Sequence, residues 1–155
     1  VGSEMCIRDS YKTQGKTLWD AMLDLYEKYG YYKDDVKAIT LKGIEGLAKI
    51  QEIMTTLRDN TPAQIGEHKV LKARDYKKDT ITDLETGAVT PTGLPNSNVL
   101  YYELPDAAWV CFRPSGTEPK LKFYYGVKAD SMEAADAKAA ELGAAVMAIV
   151  EPMLG

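Results

Sequence analysis

A chain of 155 residues with 45% hydrophobic residues is long enough for one globular domain and a short appendage. The formal net charge of −4 means that the chain as a whole has no positive charge excess of the kind that binds nucleic acid. No segment approaches the ~20 consecutive apolar residues that span a bilayer. We therefore expect neither nucleic acid nor a membrane as a partner. Two cysteines and no signal-peptide pattern favour a reducing, cytoplasmic location.

The first regular pattern is helical and begins at Thr17. Thr17 can cap the helix, Asp20 stands at the capping-box position, and Gly30 is suited to end it. The predicted apolar face of this helix consists of Leu18, Met22, Leu25 and Tyr26. Residues 31–35 are expected to form a link that leads into the first strand.

The elements that follow define the fold class. Alternating apolar residues predict a strand over 36–41, and apolar residues every three or four positions predict a helix over 44–58. The later predicted elements are strand 70–76, segment 80–84 that extends or pairs with it, a turn-rich excursion 83–95, strands 99–104 and 108–113 joined by a hairpin, strand 121–128, and a helix that Ser131 caps and Pro152 ends. This order predicts an α+β domain, a mostly antiparallel sheet with helices on one face (β-α-β4-α), preceded by the first helix.

Three further features have structural interpretations. Cys111 lies in an apolar strand and is expected to be a small core residue. His68 is the only histidine and cannot by itself form a metal site or a catalytic triad, so we expect it to be solvated. The basic residues of 69–78 are expected to line a solvated strand edge, because lysines discourage edge pairing.

The most specific motif is the loop 113–119, Arg-Pro-Ser-Gly-Thr-Glu-Pro, between two aromatic-rich predicted strands. Arg113 offers a planar fork of donors, Ser115 and Thr117 offer hydroxyls, and Gly116 leaves its amide unshielded. Such a set suits a phosphate. The alternative is an ordinary turn, since these residue types are common in turns and an arginine at a strand end is usually solvated.

This loop, together with Lys-Leu-Lys-Phe-Tyr at 120–124, resembles the phosphate-binding loop of the α-D-phosphohexomutases, where it belongs to the fourth, C-terminal domain. The resemblance covers roughly residues 11–151 and is strongest for the phosphoglucomutase and phosphopentomutase branch. The upstream segments that resemble this branch are 14–18 (QGKTL), 26–32 (YEKYGYY), 40–43 (TLKG) and 83–87 (DLETG).

The resemblance implies a site for the phosphate that is not reacting. Arg113 would bind two phosphate oxygens, Ser115 and Thr117 would donate hydroxyls, and Gly116 would offer its amide. Lys122 is added because it shares a strand face with Lys120, although either lysine can instead be solvated. Glu118 would brace Arg113 or turn to solvent. No catalytic residue and no metal ligand is expected within this chain.

The resemblance also divides the chain. Residues 1–10 are expected to be a non-native tail or, alternatively, a helix whose sequence has drifted. Residues 11–33 would end the third mutase domain, and residues 34–151 would form the fourth. The family's phosphoserine loop, Asp-x-Asp-x-Asp metal loop and sugar-selecting loop do not occur in the sequence. The chain is therefore expected to be part of a longer enzyme and to be inactive alone.

By the same resemblance, the parent would be an isomerase, an intramolecular phosphotransferase that interconverts hexose 1-phosphate and 6-phosphate through a phosphoserine enzyme. The resemblance implies Mg²⁺ in the parent, glucose 1,6-bisphosphate as activator, and a sugar phosphate and the missing N-terminal domains as partners. Glucose phosphate is favoured, followed by pentose and then mannose phosphate. A non-catalytic sugar-phosphate-binding or interaction module that retains the fold is the alternative.

Overall fold

A computed structural model describes residues 2–154. The helices and strands in this range are α1 (Gly2–Thr13), α2 (Leu18–Tyr29), β1 (Tyr31–Thr40), α3 (Gly43–Asp59), β2 (Gln64–Ile65), β3 (His68–Lys69), β4 (Lys72–Asp75), β5 (Thr80–Asp83), β6 (Val89–Thr90), β7 (Leu100–Glu103), β8 (Trp109–Pro114), β9 (Lys120–Ala129) and α4 (Met132–Leu154). None of these helices is long and apolar enough to cross a membrane.

Seven strands form one antiparallel sheet in the order β1-β9-β8-β7-β4-β5-β6, and β2 pairs with β3 in a separate short hairpin. The α+β prediction, with a mostly antiparallel sheet, is confirmed. Residues 80–83 form β5, which pairs with β4, so the second of the two alternatives for this segment is confirmed. The turn-rich excursion also contributes β6, which is an edge of the sheet.

The helices cover one face of the sheet because the central strands alternate between buried and less buried side chains. On β9, Leu121, Phe123 and Tyr125 are buried. They belong to the core that the helices complete with Ile50, Ile53, Met54 and Leu57 of α3 and Leu142, Val146 and Val150 of α4. Successive side chains of a strand point to opposite faces, so the other side chains of these strands lie on a face that neither α3 nor α4 covers. We call the two sides the covered face and the open face.

The first helices differ from this core in burial. The predicted capping box of α2 is present: Thr17 accepts a hydrogen bond from the Asp20 amide, and the Asp20 carboxylate accepts one from the Thr17 amide. Gly30 follows the helix end at φ 99°. Ala21 is the buried residue of α2, and α1 has none. The helices form locally but bury little apolar surface.

The predicted link at 31–35 is wrong, since β1 begins at Tyr31. The strand pairs with β9 along its whole length, from Tyr31 opposite Ala129 to Thr40 opposite Lys120. Lys33 also forms an ion pair with Asp136 of α4 at 3.0 Å. The sequence does not indicate the first half of this strand, because β1 is an edge strand whose side chains are largely exposed on both faces. The strand is formed by backbone pairing with β9 and has no apolar pattern of its own.

Two other local predictions are corrected. Pro152 does not end the last helix, which continues to Leu154. A proline costs one helical hydrogen bond, but Met153 and Leu154 pack against the core and favour continuation. The basic segment does not line an edge either, because β4 lies between β5 and β7. Arg74 there pairs with Glu103, and its Nε lies 2.8 Å from the carboxylate.

One buried ion pair links α3 to β4. Arg58 donates to Asp75 at 2.9 Å, and a second guanidinium nitrogen donates to Asn98 at 2.7 Å. The second oxygen of Asp75 accepts the amides of Lys77 and Lys78. Because each buried charge has several partners, this cluster fixes the turn after β4 without leaving a charge unpaired.

Candidate functional site

The candidate loop is shorter than the sequence predicts. β8 extends through Pro114 and β9 begins at Lys120, so Arg113 lies within a strand and the connection consists of residues 115–119. The loop is closed by a hydrogen bond from the Ser115 amide to the Lys120 carbonyl at 2.7 Å. The Leu41 amide donates to the Pro119 carbonyl at 2.9 Å, which ties the loop to the end of β1.

The predicted donors at the loop tip face open space. The Thr117 amide donates to the Ser115 hydroxyl oxygen at 3.4 Å, which leaves the hydroxyl hydrogen of Ser115 available for another acceptor. Gly116 and Thr117 are exposed, and no atom lies within 4 Å of the position where a Cβ of Gly116 would stand. The tip can therefore receive a small acceptor group without rearrangement of the core.

Register brings the basic residues of the site together. Arg113 lies directly opposite Lys122 in the pairing of β8 with β9, so their side chains share a face of the sheet. Lys120, two residues before Lys122, lies on the same face. Within residues 2–154, no carboxylate oxygen lies within 4.0 Å of these three cationic groups. Glu118 is exposed and does not brace Arg113.

Like charges on directly opposed strand positions destabilise a sheet. Here the pair formed by Arg113 and Lys122 lies beside two hydroxyl donors and the exposed Gly116 backbone. The structure thus groups all five predicted site residues at one end of the sheet. The arrangement is chemically suited to an anion with several oxygens, which can accept from the guanidinium, the ammonium and the hydroxyls at once.

Cys111 does not belong to the core, contrary to the prediction. Val110 and Phe112 are fully buried, and because strand side chains alternate, Cys111 lies on the open face together with Arg113. Burial under neighbouring side chains raises the pKa of the Cys111 thiol to about 11, and the positive charge of Arg113 offsets part of that rise. The sequence could not place Cys111, because residues 109–112 form an uninterrupted apolar run in which neither alternating set stands out as the buried one.

A groove of about 640 Å³ lies on the open face next to the loop. Its lining consists of Tyr76, Leu94, Pro95, Ser97, Val99, Tyr101, Trp109, Cys111, Arg113 and Tyr124, and we call it the open-face groove. Arg113 belongs both to the groove and to the candidate phosphate site. The sequence analysis missed this groove, because the segment 94–99 that closes one side of it has no periodic pattern.

The chain's own carboxylates do not fit a Mg²⁺ site. In the part of the chain that the structure describes, no group of three or more His, Cys, Asp or Glu residues could hold a metal ion. Asp34 and Asp35 are neighbours in β1 and therefore point to opposite faces. Asp35 instead accepts a hydrogen bond from the Tyr125 hydroxyl at 3.3 Å.

Comparison with known proteins agrees with the loop motif. Over 122 residues, the chain is 38% identical to a phosphoglucomutase of Staphylococcus aureus (strain bovine RF122 / ET3-1) and 34% identical to a phosphoglucomutase of Staphylococcus epidermidis. This similarity is consistent with a domain of a phosphohexomutase. Each match covers 79% of this chain and 22% of the relative, so the chain spans about a fifth of the length of these curated relatives.

A solved structure supports the same fold. The open form of the exocytosis-sensitive phosphoprotein pp63/parafusin from Paramecium, described as a phosphoglucomutase, matches 91% of this chain and 25% of its own chain, with a TM-score of 0.53. The sequence identity in this match is 17%, so it shows the fold alone. No protein-family model matches the chain.

Proposed function

We propose that this domain binds one phosphate group of a sugar phosphate at the loop 113–119. The observation that supports this most is the pair of cations, Arg113 and Lys122, on opposed strand positions with no carboxylate in reach among residues 2–154. A bound phosphate would relieve their repulsion. Arg113 contributes two parallel hydrogen bonds, Ser115 and Thr117 donate hydroxyls, and the Gly116 amide completes the set.

We propose further that the parent protein is a phosphoglucomutase-like isomerase of the cytoplasm that moves a phosphoryl group between the 1 and 6 positions of a hexose. In such a reaction, this domain holds the phosphate that does not react, which aligns the opposite end of the sugar with the reacting group. Mg²⁺ bound elsewhere in the parent would stabilise the charge of the transferred group. Glucose phosphate is the preferred substrate, with glucose 1,6-bisphosphate as activator.

The chain alone supplies no nucleophile or metal site in this scheme, so we expect it to bind sugar phosphate without converting it. A titration of the isotope-labelled chain with glucose 1-phosphate, followed by amide NMR, tests binding. The amides of Ser115, Gly116 and Thr117 should shift first. In Arg113→Ala the affinity should fall by about tenfold or more, since a charge-assisted hydrogen bond contributes about 1.5–3 kcal/mol.

Two variants act as controls. Arg113→Lys should recover only part of the affinity, because an ammonium cannot reproduce the planar fork of the guanidinium. Arg8→Ala removes an exposed arginine of α1 that pairs with Asp9, and it should leave binding unchanged. Shifts that cluster away from the loop, or equal affinity in Arg113→Ala and the unmodified chain, would show that the site is assigned wrongly.

A further inference from the structure

The open-face groove has a regular geometry centred on Cys111. Tyr101 lies opposite Cys111 on β7, and Tyr124 lies opposite it on β9. Trp109 and Arg113 lie two residues before and after Cys111 on β8 itself. Since residues at i and i+2 share a strand face, these four side chains surround Cys111, which forms the floor of the groove on the open face.

The side chain of Cys111 is small and its neighbours on the open face are large, so the surface above Cys111 is recessed between them. Adjacent strands are about 4.8 Å apart, which places the backbones that support Tyr101 and Tyr124 about 9.6 Å apart across β8. Trp109 stacks on Tyr101, with ring centroids 5.5 Å apart and an interplanar angle of 12°. The arrangement leaves a slot above Cys111 with aromatic side chains on both sides.

One unpaired charge lines this slot, since the Arg74 guanidinium beside the Tyr101 ring pairs with Glu103. Among the lining residues of the open-face groove, Arg113 alone is charged, while Leu94, Pro95 and Val99 extend the apolar surface. A hexose matches this lining poorly, because its hydroxyl groups would lose water and find few partners. A flat ring with an acidic group matches it well, since aromatic side chains stack on rings and a guanidinium pairs with oxyanions.

We propose that the open-face groove binds a planar aromatic anion, with its ring above Cys111 between Tyr101 and Tyr124 and its acidic group on Arg113. Two residues of extended strand separate Cys111 from Arg113, about 7 Å along β8. Such a ligand occupies the same guanidinium that the candidate phosphate site uses. It therefore competes with the phosphate of a sugar phosphate, and the groove is a regulatory site for the phosphate-binding loop.

The test compares three probes on the 155-residue chain by calorimetry and amide NMR. Phenyl phosphate has both the ring and the acid, methyl phosphate lacks the ring, and phenol lacks the acid. Phenyl phosphate should bind about tenfold or more tightly than methyl phosphate, as expected for one stacked ring. Phenol should bind more weakly than phenyl phosphate, and the amides of Tyr101, Cys111 and Tyr124 should respond only to ligands with a ring.

Variants separate the groove from the phosphate site. Cys111→Leu fills the floor, and Tyr124→Ala removes one wall. Each should abolish the preference for phenyl phosphate while methyl phosphate affinity stays within twofold (~0.4 kcal/mol). Arg113→Ala should weaken both phosphates. Trp19→Ala removes an exposed tryptophan of α2 and should change neither affinity. Circular dichroism checks the fold of each variant.

Equal affinity for phenyl and methyl phosphate overturns the groove proposal and leaves the loop's phosphate binding intact. A preference that survives both Cys111→Leu and Tyr124→Ala also overturns it. If sedimentation shows a dimer that Cys111→Leu dissociates, a second copy of the chain covers the groove and the proposal is wrong. If the unmodified chain does not bind methyl phosphate at all, the proposed function is wrong.

Discussion

The two faces of the sheet use the same strands for different purposes. On the covered face, β8 contributes Val110 and Phe112, which are fully buried against the helices. On the open face the same strand contributes Trp109, Cys111 and Arg113, which line the open-face groove next to the candidate loop. Alternation along one strand thus places core-forming side chains on one side and groove-lining side chains on the other, so each set can be altered without the other.

The cost of burial explains why these roles separate. A cationic group such as the Arg113 guanidinium remains accessible to a ligand only where no helix covers it, and a buried unpaired charge would destabilise the fold. Where the covered side does contain charges, as at Arg58 and Asp75, they pair with each other and with nearby polar groups. Beside the loop, by contrast, Arg113 and Lys122 lie on the open face without a carboxylate within 4.0 Å among residues 2–154.

The largest effect is expected from Phe112→Ala. Phe112 is fully buried and packs edge-on against Tyr102 and Phe123, at centroid distances of 5.7 and 5.4 Å. Its truncation leaves a cavity and should lower the free energy of unfolding by about 3–5 kcal/mol. Chemical denaturation measures this change. Arg113→Ala on the open face of the same strand should change stability by no more than about 0.5 kcal/mol. Similar losses for both variants would contradict the division between the faces.

A smaller effect is expected from Gly126→Ala, which alters the open face through packing. A Cβ at Gly126 would collide with the Trp109 indole and the Asp34 carboxylate, so the indole must move. Overpacking of this kind should cost about 1–3 kcal/mol and change the near-ultraviolet circular dichroism of Trp109.

Gly116→Ala is the matched control for Gly126→Ala. No atom lies within 4 Å of the new Cβ at Gly116, so stability should stay within about 0.5 kcal/mol of the unmodified chain. If both glycine variants unfold at the same denaturant concentration, Trp109 is not held over Gly126 as the structure shows.

The smallest effect concerns the Cys111 thiol, whose pKa burial raises to about 11. Because the thiolate reacts, alkylation of Cys111 in a Cys6→Ser variant should accelerate about tenfold per pH unit from 8 to 10 without levelling off. Removing Arg113 should raise the thiol pKa further and slow alkylation at each pH, because the arginine charge lowers that pKa. Mass spectrometry of the labelled peptide measures both rates.

The same shift has a consequence for stability. A raised folded-state pKa means that the contribution of the Cys111 thiol is fully present below its ordinary value of 9.0 and is lost as the pH rises through about 11. The Cys111→Ala variant should therefore lose less stability than the unmodified chain between these pH values. An alkylation rate that levels off between pH 9 and 10 would show that the pKa of the thiol is not raised as described.

Much of the local structure could be predicted because it depends on neighbours in sequence. Thr17 and Asp20 form their capping box within a single turn, and the hairpin between β7 and β8 follows from the turn-forming residues Pro105 and Asp106. The loop motif 113–119 is also contiguous, so the sequence could predict that its residues lie in or beside one connection between two strands. Their assigned role stays a prediction until a ligand is measured.

What the sequence could not provide depends on distant partners. Residues 31–35 became a strand only because β9 supplies the backbone hydrogen bonds, and α4 continues past Pro152 because Met153 and Leu154 find the core. Cys111 was misplaced because an apolar segment does not reveal which side of a strand the helices cover. That choice is made by the packing of α3 and α4, and with it the groove beside Arg113. The alternation of side chains along a strand follows from the local backbone geometry. Which of the two faces is buried depends on the tertiary structure, because it is determined by the apolar helix surfaces that pack on the sheet and exclude water.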